Sequence, residues 1–321
     1  MKKIVTIGGG TGSFGLLSEL RRRKEGGEKI EISAIVAMSD SGGSSGILMD
    51  NYGVLPAGDL RQCLVALSPE SDILRELFTF RYEDGFLKGH SFGNLFISTL
   101  EKISGDLAGA VKKSEKILNT LGRVYPVSFD RHELIAELEN GQKIISEKNL
   151  DNANLNGLEK IYFSKEIALN PEIPKVLEEA DLILINPGSF YTSIIPNFLV
   201  KDLVKNLEKT KAEKVLISNI VTEKNQTDNF EVSDFVEKLK EYTGFDSLDK
   251  VIYNINYNLE NDEVRKRYEE EGKFFVKRDE NKKYKNIEFV GLDLLKKPDQ
   301  NDKKHLIRTD FKKVVDEILK K

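Results

Sequence analysis

The sequence holds one cysteine, no tryptophan, three histidines and eight prolines in 321 residues. A single cysteine, Cys63, excludes any disulfide within the chain, and its place in the apolar stretch LRQCLVAL suits a buried thiol in a reducing compartment. Charge of one sign is also lacking. The 49 Lys and Arg stand scattered against 53 Asp and Glu, a net charge of -4, so no basic field awaits a phosphate backbone and nucleic acid is not an expected partner. Long apolar runs are missing too. The run that follows Met1-Lys2-Lys3 stops at Gly8, too short for a signal-peptide core, and no later run is long enough to span a bilayer. These absences predict a cytoplasmic protein with no membrane contact, large enough to bury a real core.

What the chain does have is a repeated order of apolar strand, glycine-rich loop and helix. KKIVTI ends on glycines and leads into SFGLLSELRRRK, where Leu16, Leu17 and Leu20 share one helical face. The order recurs with IEISAIVAM, ADLILINPGSFYTS and AEKVLISNIV, each strand an apolar run without polar alternation. Strands of that kind are covered on both faces, which predicts an α/β fold with a mainly parallel sheet between helical layers. Between 124 and 168 the pattern turns to alternation, and ELIAELENGQKIIS carries the hairpin signal Asn140-Gly141. A small β-hairpin excursion is expected there, within one domain spanning 1–321. A helix over about 310–320 is expected to dock through Phe311, Val314, Val315 and Ile318. The highly charged stretch 265–286 is expected to be mobile.

Gly10, Gly12 and Gly15 satisfy G-x-G-x-x-G after a strand and at the start of a helix, the arrangement that presents backbone N–H groups and a helix N-terminus to a diphosphate. Gly9, Thr11 and Ser13 add amides and hydroxyls, and a Cβ at Gly12 is expected to obstruct the ligand. A Walker A loop is excluded, because Leu16 and Leu17 occupy the places of its Lys and Ser/Thr. The second loop, SDSGGSSG, offers Asp40 at a strand end, and its backbone amides with the hydroxyls of Ser41, Ser44 and Ser45 form an anion nest or a hydrogen-bonding wall, or else the stretch is a plain surface loop. Asp59, followed by Arg61, is read as an N-cap or as a ligand contact. In GHSFGNL, Ser91 is placed to cap a helix with His90 and Asn94 beside its start. NPGSFYTS delivers Gly188, Ser189, Tyr191 and Thr192 to the C-terminal edge of the sheet, where α/β proteins bind ligands.

In this order the stretches GGGTG, DSGGSSG, GDLRQCLVALS, GHSFGNL and NPGSFYTSIIPN resemble the YvcK-like gluconeogenesis factor family, relatives of the CofD-like 2-phospho-L-lactate transferases. The resemblance covers most of the chain and is weakest over 101–180 and 225–300. It implies a Rossmann-like three-layer fold and binding of a nucleotide sugar such as UDP-N-acetylglucosamine (UDP-GlcNAc). A role in carbon metabolism, cell-wall synthesis and cell shape comes with it. The sequence departs from the family in several places: Ser41 follows Asp40 where the family has a second aspartate, Ile47 and Met49 replace arginines, Lys224, Asn225, Gln226 and Thr227 replace its Pro-Gly-Glu-Thr, and Arg308-Thr309-Asp310 stands for its Arg-His-Asp.

Three functions compete. The first is a regulatory nucleotide-sugar-binding protein, in which Gly9, Gly10, Thr11, Gly12, Asp40, Ser44, Ser45, Asp59, Arg61, His90, Asn94, Gly188, Ser189, Tyr191, Thr192, Asn219, Tyr268 and Arg308 contact a UDP-sugar. It requires no cofactor and implies regulatory protein partners and self-association. The second is a phospho-group transferase of the 2-phospho-L-lactate type, in which Asp40 and Asp59 hold Mg²⁺ against a diphosphate. The third, NAD-dependent oxidoreduction, rests on the glycine fingerprint alone, since His90, His132 and His305 lie in unrelated stretches. No nucleophile or base stands out in the sequence, and the first reading is preferred.

Overall fold

A computed structural model of the chain describes residues 1–69, 72–259, 261–296 and 306–320. Its first half runs β1 (Lys2–Gly8), α1 (Gly10–Glu25), β2 (Ile30–Val36), α2 (Gly43–Tyr52), α3 (Gly58–Leu67), α4 (Asp72–Thr79), α5 (Phe92–Ser104), α6 (Leu107–Leu118) and β3 (Arg123–Pro126). An excursion follows, made of β4 (Leu134–Leu138), β5 (Lys143–Ile145), α7 (Glu147–Asp151) and β6 (Leu158–Phe163). The chain then resumes with α8 (Ile173–Glu178) and β7 (Leu182–Ile185). A π-helical turn, Phe190–Ile194, leads into α9 (Ile195–Phe198), α10 (Leu203–Lys209) and β8 (Glu213–Ile217). The last elements are α11 (Val232–Thr243), β9 (Lys250–Asn254), α12 (Asp262–Glu270), β10 (Glu288–Leu292) and α13 (Phe311–Ile318).

Seven strands form one sheet in the order β10-β9-β8-β7-β1-β2-β3, and every pairing in it is parallel. Ile4 of β1 lies opposite Ile32 of β2 on one side and Leu182 of β7 on the other, so the apolar runs meet in the sheet centre, where all three side chains are buried. Right-handed crossovers explain the layers: β1 to β2 and β7 to β8 travel in opposite directions along the sheet, which puts α1 and α10 on opposite faces. The parallel sheet between helical layers expected from the apolar runs is observed, and with it the Rossmann-like arrangement that the family resemblance implies.

The excursion is a separate antiparallel sheet, β5-β4-β6, closed at Asn140-Gly141 with Gly141 at φ +80°. It starts later than the sequence pattern places it, because β3 pairs with β2 as the edge of the main sheet. The charged stretch 265–286 is not a loose segment. It opens within α12, buries Tyr268, and Phe275 bridges to Val221. The C-terminal helix docks on α1 as expected, with Val314, Val315 and Ile318 buried and Lys2 Nζ donating to the Ile318 carbonyl at 2.8 Å. Cys63 is buried within α3. Among the described residues no helix is long and apolar enough to cross a membrane.

Candidate functional site

The chain leaves β1 toward β2 on one side, and β7 continues toward β8 on the other. The loops after β1 and β7 therefore part at the C-terminal edge of the sheet, the topological switch point at which open α/β sheets bind ligands. A cleft of about 1360 Å³ opens there. Thr11, Gly12 and Gly15 of α1 form one wall, with Gly188, Ser189, Asn219 and Glu223 from the loops after β7 and β8 opposite. Arg61, Arg75, Lys273, Lys296 and Arg308 bring positive charge to it, and Tyr268 and the segment 307–312 close its far side.

At the start of α1, Gly9 is an extended N-cap without a side chain to spend on the first turn, and Gly10 takes φ +62°. Thr11 and Gly12, in the first turn of this 16-residue helix, line the cleft beside its positive N-terminal end, while the Gly10 N–H is taken by Asp59. The glycines also answer to the protein itself. A Cβ on Gly12 would lie 1.8 Å from the Pro187 carbonyl oxygen, and one on Gly9 would lie 2.2 Å from Asp59 Oδ2. Gly12 is glycine because two loops touch there, whereas the sequence reading assigned its small size to ligand approach.

Beneath this turn lies a layer of carboxyl groups. Asp59 does not cap α3: Ala57 holds the N-cap position, and Asp59 reaches across to accept the Gly10 N–H. Enclosed under the glycines with only a partial window to solvent, its carboxyl is pushed up to about 7 by burial and then by Asp40. Asp40 accepts from Ser45 Oγ at 2.7 Å and from the Gly42 N–H at 3.0 Å, and burial shifts it upward as well. Glu147 and Asp151 of α7 complete the layer, and sequence reasoning missed both. Glu147 accepts from the Ser41 N–H at 3.1 Å and is pushed up to about 8 by burial, Asp151 and Asp40. A carboxyl group from α7 of the excursion thus meets Ser41, where the family pattern has a second aspartate.

The SDSGGSSG stretch is not a loose surface loop. Its second half starts α2, and Ser44 and Ser45 are buried and turned inward. Ser44 Oγ pairs with His90 Nδ1 at 3.0 Å, and Ser39 Oγ pairs with His132 Nε2 at 3.3 Å. Two histidines from distant stretches therefore bracket this segment, correcting the view that their contexts are unrelated; His305 lies outside the described residues. Ser91 caps α5 as expected, accepting from the Asn94 N–H at 3.1 Å. Arg61 Nε donates to Asn94 Oδ1 at 2.9 Å, and Asn94 Nδ2 donates to Ser45 Oγ at 3.3 Å. One chain of hydrogen bonds thus connects Arg61 in the cleft with Asp40.

The other candidates divide. Thr192 is buried and donates to Asp151 Oδ1 at 2.7 Å, on the acidic side. Tyr191 points into the core, against Phe190 and Tyr242, and burial raises its hydroxyl. Asn219 lines the cleft, but its amide is engaged with the backbone of Gly188, accepting at 3.0 Å and donating at 2.9 Å. Ser189 donates to Glu223 Oε1 at 3.0 Å, and Tyr268 OH accepts from the Ile307 N–H at 2.9 Å. Glu223, Arg75, Lys273 and Lys296 are cleft residues the sequence reading did not name.

Residues 4–295 match the family described as 2-phospho-L-lactate transferase CofD. The chain belongs to that family. It is 37% identical over 316 residues to a "Putative gluconeogenesis factor" of Thermotoga maritima, covering 98% of each chain. It is 34% identical over 314 residues to the gluconeogenesis factor of Bacillus subtilis, covering 97% of this chain and 95% of that one. The crystal structure of a UPF0052 family member from Bacillus halodurans superposes over the full length of both chains with a TM-score of 0.90 at 32% identity. The CofD-family assignment therefore spans both the main sheet and the excursion that supplies Glu147 and Asp151.

Proposed function

We propose that this chain is a gluconeogenesis factor that binds a nucleoside diphosphate sugar of the UDP-GlcNAc type at the switch point and acts by binding instead of turnover. The observation that carries this reading is one cleft lined both by the N-terminus of α1 and by cationic residues from several elements, among them Arg61, Arg75, Lys273, Lys296 and Arg308. Oriented amides and a helix dipole favour a diphosphate, and the cations add charge-assisted bonds. The name shared by the relatives supports the metabolic role, and effects on cell wall and cell shape, a cytoplasmic setting and regulatory protein partners follow from the same reading. The test is a thermal-shift series over UDP-GlcNAc, UDP, GTP and NAD, with and without Mg²⁺, followed by chromatography of the ligand. The expected result is stabilisation by UDP-GlcNAc, at about 2.7 kcal/mol for a hundredfold excess over Kd, and recovery of intact ligand. Absence of stabilisation at saturating concentrations defeats the reading.

The acidic layer favours a second reading, a Mg²⁺-dependent phospho-group transferase. Asp40 lies near enough to raise Asp59 electrostatically, and the two offer hard oxygen donors near the α1 N-terminus, whose Gly10 N–H Asp59 accepts. Among the described residues no three acidic, histidine or cysteine side chains converge as a metal cage. Two carboxylates completed by water and ligand phosphates is, however, a common Mg²⁺ arrangement, so the donor set fits. Bound there, the ion would neutralise phosphate charge. Release of UDP or UMP that disappears in Asp40→Asn would decide for this reading.

A further inference from the structure

Ser189 and Glu223 face the cleft from the ends of β7 and β8, and the Ser189 hydroxyl donates to Glu223 Oε1 at 3.0 Å. Both backbones are held. Gly188 exchanges two hydrogen bonds with Asn219, and the Glu223 N–H donates to Thr227 Oγ1 at 2.9 Å. Among the described residues no second donor reaches the Glu223 carboxylate: Lys273, the cation acting on it, is ion-paired with Glu271 at 2.8 Å. Oε2 is left to accept from a molecule in the cleft. Its place is informative, because Pro187, two residues before Ser189, abuts Gly12 at the start of α1. Two residues span at most about 7 Å, so Ser189, and through its hydroxyl the Glu223 carboxylate, belong to the cleft wall that faces the start of α1.

We propose that Glu223 is the specificity-determining residue of the cleft, accepting a hydroxyl of a sugar joined to the diphosphate and rejecting a ligand that carries a further phosphate there. This rests on the nucleotide reading given above. A carboxylate in a partly enclosed site is a strong acceptor for neutral O–H donors and repels phosphate at the same range. One group thus supplies both the attraction and the repulsion that discrimination requires. Ser189 is its positioning residue, holding Oε1 so that Oε2 meets the ligand.

The experiment is calorimetric titration of the full chain with UDP-GlcNAc, UDP and UTP, using wild type, Glu223→Gln, Glu223→Asp and Ser189→Ala. Wild type is expected to prefer the sugar nucleotide over UTP by at least about tenfold, which is about 1.4 kcal/mol. Glu223→Gln keeps the size and an acceptor but not the charge, so the ratio should fall to within about threefold as UTP tightens. Glu223→Asp withdraws the acceptor but keeps the charge, so it should still reject UTP while binding the sugar nucleotide about tenfold more weakly. Ser189→Ala should weaken the sugar nucleotide and leave UDP unchanged, a split that a merely structural role would not produce. An unchanged ratio in Glu223→Gln, with the sugar nucleotide still bound, overturns the assignment alone. If that variant does not fold, Glu223→Asp decides, and equal losses for UDP and UDP-GlcNAc overturn it. Wild type that binds none of the three overturns the nucleotide reading and this assignment with it.

Discussion

Gly12 and Pro187 are in contact across the switch point: the Cβ that Gly12 lacks would lie 1.8 Å from the Pro187 carbonyl oxygen and 2.8 Å from its carbonyl carbon. The loops after β1 and β7 are thereby fixed against each other by backbone packing, before any ligand arrives. Neither partner is a flexible side chain that can step aside, so the loops themselves must separate. Gly12→Ala should cost roughly 2–3 kcal/mol of stability, and Gly12→Val more, as overpacking at a tight contact does. Denaturant melts check this. A Gly12→Val variant of wild-type stability would show that the contact is loose and return this glycine to a purely ligand-binding role.

Stability should fall as pH rises through neutrality, and the acidic layer is the reason. Asp59, at about 7, and Glu147, at about 8, keep their protons in the folded chain at pH values where an unfolded chain has released them. The folded state therefore binds more protons from about pH 4 up to those values, and each proton lost across that window removes stability. Thermal melts should show a higher Tm in mild acid than in mild alkali. Asp59→Asn, which keeps an acceptor for the Gly10 N–H, should flatten the dependence, and Mg²⁺ in alkali should raise Tm if the carboxylates hold it. An equally steep slope in Asp59→Asn would remove Asp59 as its source.

The strands were legible because their signal is local. The runs at β1, β2, β7 and β8 read as doubly covered strands from their own residues, as did the Asn140-Gly141 turn and the apolar face of α13. The acidic layer was not legible. Glu147 lies 106 residues from Ser41 in sequence, on a five-residue helix whose Glu-Lys-Asn composition reads as solvated surface. Only the packing of the small sheet brings it to Asp40. Likewise Ser44 and Ser45 looked like loop residues because glycine and serine favour turns, and their inward hydrogen bonds to His90 and Asp40 are made by tertiary contacts that override that preference. The cleft wall opposite α1 depends on β7 pairing with β1, a contact that no local pattern states.

Arg61 should show two separable effects. Its Nε and Nη1 donate to Asn94 Oδ1 at 2.9 Å and the Phe78 carbonyl at 3.1 Å, while the same side chain lines the cleft. Arg61→Ala strips donors from two enclosed acceptors, a loss of about 2 kcal/mol, and removes a cation from the proposed diphosphate site. Arg61→Lys should restore part of the ligand affinity but little of the stability, since a single ammonium cannot reproduce the two-armed geometry. Urea melts and nucleotide titrations separate the two. A lysine variant that recovers stability in full would show that charge alone, and not the bridge from α3 to α5, is what the position needs.

Tyr268 anchors the segment that closes the far side of the cleft. Its hydroxyl accepts the Ile307 N–H at 2.9 Å, and the same segment pairs with the chain leaving β10, where the Lys296 N–H donates to the Arg308 carbonyl at 3.0 Å and the Asp310 N–H to the Leu294 carbonyl at 2.7 Å. Beyond it, the Phe311 ring lies over Gly15, so the strap runs from α12 back to α1. Tyr268→Phe removes one acceptor and leaves the ring packed. The Ile307 amide, half-buried, then turns to solvent, and the change should cost about 1 kcal/mol. Hydrogen exchange is the sensitive measurement: the Ile307 amide should lose about fivefold or more of its protection, while amides in β1 and β7 stay unchanged. Loss of protection throughout the sheet would mean that Tyr268 supports the whole fold, and unchanged protection at Ile307 would mean that the β10 pairing alone holds the strap.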